Sequence, residues 1–244
     1  TDLDRGTGCG AGRGAGQAGN HLAPVAEASN KLRVMTWLVV YEMSNGKPLP
    51  DHDVAYLPRP CQQCAEQPCA TVCPVIATER NEEGGIVSQI YPRCIGCRYC
   101  MAACPYHARY FNWFDPIWPK GMEKALTPDV SVRPRGVVEK CSFCHHRYMY
   151  AKDKVRADGS NIYVKGFDGK KHSAIPEDGY VTSCAEACPN GAIVFGDLNN
   201  PEHKVNQLVT GHDNAFRLLE SVGTETAVYY IRARDVGPRL CAHH

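Results

Sequence analysis

Apolar residues in this chain come in short bursts rather than long periodic runs. The β-rich stretch at 32–41, Lys-Leu-Arg-Val-Met-Thr-Trp-Leu-Val-Val, predicts a buried strand. Residues 77–80 and 86–90 predict a hairpin around the polar turn Asn81-Glu82-Glu83-Gly84-Gly85. Residues 161–167, with a turn at Asp168-Gly169, predict a second hairpin. Residues 191–197 read as a returning strand, 214–221 as one helix and 227–231 as a final strand. The proline-marked stretch from Lys47 to Pro60 is a connector. The longest apolar stretch runs from Val34 to Tyr41 and is broken by Thr36. It falls far short of the ~20 residues that span a bilayer. The chain is expected to have no transmembrane segment of its own, so any membrane link would run through a partner.

Cysteine fills the gaps between these bursts. Of the 14 cysteines, all but Cys9 and Cys241 fall into three quartets, each closed by Cys-Pro. The first is Cys61, Cys64, Cys69 and Cys73-Pro74. The second is Cys94, Cys97, Cys100 and Cys104-Pro105. The third is Cys141, Cys144, Cys184 and Cys188-Pro189. The middle run, C-x2-C-x2-C-x3-C-P, has the bacterial ferredoxin spacing, in which the fourth cysteine serves the other cluster of a pair. Thiolates are soft ligands suited to iron–sulfur clusters. Three cysteines spaced by two residues let one short loop wrap three corners of a cube, and the fourth iron is reached from elsewhere. The Cys-x3-Cys step is expected to place that cysteine on the first helical turn after the loop, with Pro74, Pro105 and Pro189 tolerated there.

Two other chemistries compete. C-x2-C pairs such as Cys61/Cys64 and Cys141/Cys144 occur in zinc sites, but zinc does not require successive quartets closed by proline. Disulfides are disfavoured, because cysteines two residues apart pair poorly and a chain of 244 residues does not need staples. Apolar residues make up 43%, enough for a core, and the net charge of +1 gives no argument for nucleic acid.

The N-terminus carries a degenerate fourth quartet. Positions 6, 9, 12 and 16 keep the ferredoxin spacing, but only Cys9 is a cysteine; Gly6, Gly12 and Gly16 occupy the rest. A flexible glycine-rich tail is the plain alternative. The glycines either record real loss of thiolates or stand one base change away from a working quartet.

The crossover rule then assigns the ligands. Cluster A takes Cys61, Cys64, Cys69 and Cys104; cluster B takes Cys94, Cys97, Cys100 and Cys73. Cluster C takes Cys141, Cys144 and Cys184, with its fourth position at Gly16, which suits a [3Fe-4S] cluster or a cubane with one non-cysteine ligand. Cluster D has only Cys9 and Cys188. Two [4Fe-4S] clusters are complete, and up to four are expected if every motif is filled. His145 and His146 follow Cys144 and could supply a ligand, though positions behind the ligands or at the surface are commoner for histidine. Ser142 and Ser183 read as loop residues, and Cys241 as a free thiol.

The expected fold is α+β: tandem bacterial-ferredoxin-like, two-cluster domains with loop insertions. Residues 55–115 form the domain with two complete clusters. Residues 1–54 with 130–200 form a second, discontinuous domain with an insert at 145–183, and 201–244 pack on partners. Phe111, Trp113, Phe114 and Trp118 lie in the connector after Cys104, where they either shield clusters from water or serve ordinary packing.

The quartet order, with Cys-Ile-Gly-Cys-Arg-Tyr-Cys-Met-Ala-Ala-Cys-Pro-Tyr at 94–106, Glu-Lys-Cys-Ser-Phe-Cys at 139–144 and Gly-Asp-Leu-Asn at 196–199, resembles a known family. It is similar to the four-cluster electron-transfer subunit of membrane-associated molybdopterin oxidoreductases of the polysulfide and dimethyl sulfoxide reductase type. The long insert and the periplasm-facing relatives lean towards the menaquinone reductase or alternative complex III branch. The resemblance implies an electron-transfer subunit with no catalytic centre of its own. It would lie between a large molybdopterin-type or cytochrome-linked subunit and a multi-helix quinone-binding membrane subunit, with a multihaem cytochrome c as a further candidate partner. It also implies a membrane-associated position, through partners, at the periplasmic face of a bacterial inner membrane. The competing class is a self-contained soluble polyferredoxin carrier.

Overall fold

A computed structural model describes residues 1–23, 35–81, 84–165, 169 and 171–232. Its sheets, among these residues, are small antiparallel pairs. Strands β1 (Val39–Ser44) and β2 (Val54–Arg59) pair from Val39 with Arg59 to Ser44 with Val54. Strands β3 (Thr78–Arg80) and β4 (Val87–Gln89) form the first predicted hairpin, with Thr78 opposite Gln89. Strands β5 (Arg109–Phe111) and β6 (Val138–Lys140) bring Arg109 opposite Lys140 and so join the second quartet to the third. Strands β7 (Tyr163–Lys165) and β8 (Lys171–Ser173) are the hairpin of the insert. Strands β9 (Ala215–Phe216) and β10 (Tyr230–Ile231) close the C-terminal part. Asp2 bridges Ile231 in parallel, and the Leu3 and Ile231 N–H groups donate to Ile231 and Thr1 carbonyls at 2.9 Å.

Each quartet carries a one-turn helix. These are α2 (Pro68–Thr71), α3 (Tyr99–Ala102) and α5 (Ser183–Glu186); α1 (Ala11–Gly19) takes the same place in the degenerate motif. Helix α1 packs on α5, and α2 packs on α3. The third cysteine of a run sits on its helix, and Cys73, Cys104 and Cys188 fall just past the helix end. This differs from the first-turn expectation. Pro74, Pro105 and Pro189 lie in the turn after the helix, where proline stops it from continuing.

Buried apolar residues form separate small groups. Leu3, Leu57, Val228 and Tyr230 make one. Ile86, Tyr148, Ala151 and Ile175 make another, which docks helix α4 (His145–Ala157) against the first hairpin and the insert. Cys104, Tyr106 and Ala108 make a third, with Cys61 and Cys64 packed on it.

Several local readings change. Residues 191–197 take no strand, since their backbone finds no ladder partner. The helix expected at 214–221 is replaced by β9 and a turn, and helix α6 lies earlier, at Lys204–Gly211. Strand β1 begins at Val39 and is half-exposed rather than buried. The N-terminal part of the predicted 32–41 strand, the tips of both hairpin turns and Cys241 lie outside the described residues. No helix among the described residues is long and apolar enough to cross a membrane.

Candidate metal centres

Cys61, Cys64, Cys69 and Cys104 line one small cavity, closed by Gln62, Tyr106 and Arg109. They come from two different motifs, as the crossover rule requires. Pro68 opens α2 with its φ already set and seats Cys69 beside the cavity. Burial, followed by the neighbouring Cys61, pushes the Cys64 thiol up to about 12. Burial also raises Cys104. Bare thiolates are therefore disfavoured here, and a metal that displaces the protons suits the site.

Cys94 and Cys100 lie near each other, and Cys73 lies near Arg109, whose charge also acts on Cys100. Val138 N–H donates to Cys94 Sγ at 3.4 Å, and Ala77 N–H donates to Cys73 Sγ at 3.2 Å. Burial alone would raise the Cys73 thiol, but the N–H groups of Val75, Ala77 and Thr78 and the Arg109 charge bring it below its ordinary value. The loop between Cys94 and Cys100 turns through Gly96 (φ +73) and Arg98 (φ +63). A Cβ at Gly96 would run into the Gly136 carbonyl, so only glycine fits there. Cys97, in the same loop, is exposed.

Cys141, Cys144 and Cys184 gather at a third centre, where burial raises Cys141 and Cys184. The Cys61 charge also acts on Cys141, so this centre lies within electrostatic reach of the first. Asn20 Nδ2 and Ser183 N–H each donate to Cys144 Sγ at 3.4 Å. The Thr182 hydroxyl lies 3.4 Å from Cys184 Sγ. Ser183, expected as a plain loop residue, is the first residue of α5 and serves the sulfur. Asn20 also donates to the Gly16 carbonyl at 2.9 Å, which sets position 16 beside this centre. His145 meets Tyr148 in a tilted ring contact, with centroids 5.9 Å apart.

The degenerate motif lies against the third quartet. A Cβ on Gly12 would sit 3.2 Å from the Cys184 carbonyl, and Asn190 Nδ2 donates to Arg5 O at 3.2 Å, beside Cys188-Pro189. Cys9 is exposed and Cys188 half-buried. With glycines at 6 and 12, this position offers two thiols, too few for a cubane.

Two buried cations lie near the cysteines. Arg109 is 4% exposed and donates to Cys69 Sγ at 3.0 Å. Lys140, 1% exposed, donates to the Cys141 carbonyl at 2.9 Å and to the Val87 carbonyl. Neither pairs with a carboxylate among the described residues. Buried charge without a counter-charge is costly, so this cradle fits an anionic occupant. Arg133, by contrast, pairs with buried Glu139, which also accepts from Trp37 Nε1 at 3.3 Å. In the aromatic connector, Phe111 and Trp113 meet edge to face while Arg98 lies over both rings. Trp113 and Phe114 are about half exposed, so they do not seal the centres from water.

Short helices packed in pairs, cysteines exchanged between motifs, and N–H groups turned on the sulfurs define an iron–sulfur protein of the ferredoxin-like class. Residues 52–123 match the model of the 4Fe-4S dicluster domain. Over 241 residues the chain is 65% identical to the iron–sulfur cluster-binding subunit of menaquinone reductase from Nitratidesulfovibrio vulgaris, covering 98% of this chain and 89% of that protein. It is 35% identical over 199 residues to iron–sulfur subunit 1 of an Hdr-like menaquinol oxidoreductase from Archaeoglobus fulgidus, covering 80% of this chain and 64% of that one. It is 30% identical over 206 residues to the B subunit of polysulfide reductase from Wolinella succinogenes, covering 84% and 82%. The chain belongs to this family of iron–sulfur electron-transfer subunits of membrane-associated reductases. Its resident cofactors are [4Fe-4S] clusters, which settles the choice against zinc.

Proposed function

We propose that this chain relays single electrons through three successive centres within a quinone-linked reductase complex. Cys61, Cys64, Cys69 and Cys104 hold one [4Fe-4S] cluster, and Cys94, Cys97, Cys100 and Cys73 hold the second. Cys141, Cys144 and Cys184 hold a third, of the three-iron type. Cys9 and Cys188 hold none as the sequence stands. When bound, the clusters supply one-electron chemistry, over a range of roughly −700 to +450 mV for the class. The chain's own residues orient the sulfurs, donate N–H groups to them and keep cations beside them. The carrying observation is continuity. Arg109 donates to Cys69 while its charge acts on Cys100, and the Cys61 charge acts on Cys141, so the first centre lies within electrostatic reach of each of the other two.

The α1–α5 pair repeats the α2–α3 pair, and this supports a tandem arrangement: 55–115 as one two-cluster unit, 1–54 with 130–200 as the second, and 201–244 available to partners. The menaquinone reductase relative supports placing the chain within a quinone-linked complex; the proposed neighbours, a large molybdopterin-type or cytochrome-linked subunit and a quinone-reactive membrane subunit at the periplasmic face, rest on the family resemblance.

Iron and acid-labile sulfide per chain in the native complex test this reading. Two cubanes and one three-iron centre give about 11 iron atoms; about 8 would remove the third centre, and about 15 would show the N-terminal motif at work. Isolation of the native chain as a monomer, with no co-purifying subunit, would instead make it a soluble carrier.

A further inference from the structure

Arg109 lies between two centres rather than beside one. Its Nη2 donates to Cys69 Sγ at 3.0 Å, its Nη1 donates to the hydroxyl of Thr78, the residue after Ala77, whose N–H donates to Cys73 Sγ at 3.2 Å, and its charge acts on Cys100. Its charge acts on Cys61 and Cys73 as well. In the ligand assignment above, Cys61 and Cys69 belong to cluster A, and Cys73 and Cys100 to cluster B.

Neutral groups hold the guanidinium in place. Nη1 donates to Gln89 Oε1 at 2.9 Å and to Thr78 Oγ1 at 3.2 Å, and the Thr78 hydroxyl donates to the same Gln89 oxygen at 2.8 Å. Thr78 and Gln89 face each other across β3 and β4, so the hairpin between Cys73 and Cys94 serves as the mount. Among the described residues no carboxylate offsets the charge. Lys140, opposite Arg109 in the β5–β6 register, adds a second cation rather than neutralising the first.

We propose that Arg109 is a potential-setting residue shared by the two complete clusters, raising the reduction potential of both and holding them close together in potential. This rests on the ligand assignment under Proposed function. Reduction adds one negative charge to a centre, and a fixed cation at hydrogen-bond range favours the reduced form. The guanidinium keeps its charge across the working pH range, so the bias is permanent. Its planar fork suits the task, because one N–H group meets Cys69 while another is held by Thr78 and Gln89 in the hairpin that follows Cys73. At an effective dielectric of about 20, a unit charge this near favours reduction by about tenfold or more.

EPR-monitored redox titration of the whole complex tests the proposal, with Arg109→Gln, Arg109→Lys and Gln89→Glu beside the parent. In Arg109→Gln, iron and sulfide per chain should hold. The potentials of clusters A and B should both fall by about tenfold or more in the reduction equilibrium, about 59 mV for one electron. The third centre should move less than either. Arg109→Lys should recover most of the shift. A smaller shift at either cluster, or one that Lys does not reverse, overturns the proposal. Should Arg109→Gln fail to assemble, Gln89→Glu decides. It sets a carboxylate where the amide oxygen now accepts at 2.9 Å and leaves the arginine in place. Both potentials should again fall, and unmoved potentials overturn the proposal. A wrong ligand assignment shows separately, as undiminished iron in Cys69→Ser or Cys100→Ser.

Discussion

Gly16→Cys is the most direct test of the third centre, since it offers the thiolate that the Cys141, Cys144 and Cys184 site lacks. Position 16 lies inside α1, one turn before Asn20. The Asn20 amide donates to the Gly16 carbonyl at 2.9 Å and to Cys144 Sγ at 3.4 Å, so two hydrogen bonds connect the position to the site. A Cβ built there meets nothing within 4 Å, so the new side chain displaces no neighbour. Replacing a helical glycine by cysteine gains roughly a few tenths of a kcal/mol in helix propensity. Stability therefore does not oppose the change.

The expected result is one more iron atom per chain, from about 11 to about 12, as a three-iron centre becomes a cubane. EPR of the oxidised protein gives an independent reading: the parent is expected to show a three-iron signal, and that signal should vanish in the variant. Gly14→Cys is the control. It also has open space, but residues two apart do not share a helix face, so it should add no iron. An unchanged iron count with a persisting three-iron signal in Gly16→Cys would refute the placement of α1 against this centre.

Other perturbations probe the support of the sites. Glu139→Gln strands the buried Arg133 guanidinium and should cost about 3–5 kcal/mol; chemical denaturation of the assembled protein reads this, and a cost near zero would mean that the pair is not buried. Gly96→Ala should empty the second centre, lowering iron by about four atoms, because φ +73 and the Gly136 carbonyl both exclude a Cβ; full iron in this variant would contradict the loop geometry. Stripping the iron with a chelator should collapse the near-UV circular dichroism, since metal binding is coupled to folding; an unchanged spectrum would show a scaffold that stands without its clusters.

Local chemistry was legible in the sequence, and tertiary chemistry was not. The quartets and both hairpins follow from spacing and turn residues within a few positions. Helix α6 also carried a readable signal, Val205, Leu208 and Val209 at i, i+3 and i+4, but the more apolar stretch after it drew the helix reading away. Helix α4 is polar nearly all round and buries only Tyr148, Ala151 and Lys152, so periodicity says little about it. Residues 191–197 have strand-like composition but meet no partner strand, and composition does not decide pairing. The donors to Cys144 were beyond reach for another reason: Asn20 is separated from it by 124 positions, and only the packing of α1 on α5 brings them together.

The buried cations connect stability with function. Among the described residues the buried apolar groups hold four residues at most, so the core is divided into small groups rather than gathered in one. Between them, β5 and β6 place Arg109 directly opposite Lys140. Like charges opposed across a pair of strands destabilise it, and burial deepens the cost. Arg109 donates to Cys69 Sγ and Lys140 to the carbonyl of Cys141, so cluster-bound thiolates would supply the counter-charge that makes this pairing tenable. Strands β5 and β6 are also the link that carries the chain from the second quartet to the third. The anionic centres that accept electrons thereby hold in place the strand pair that sets the spacing between them, and loss of iron should loosen this junction before it reaches the Leu3–Tyr230 group.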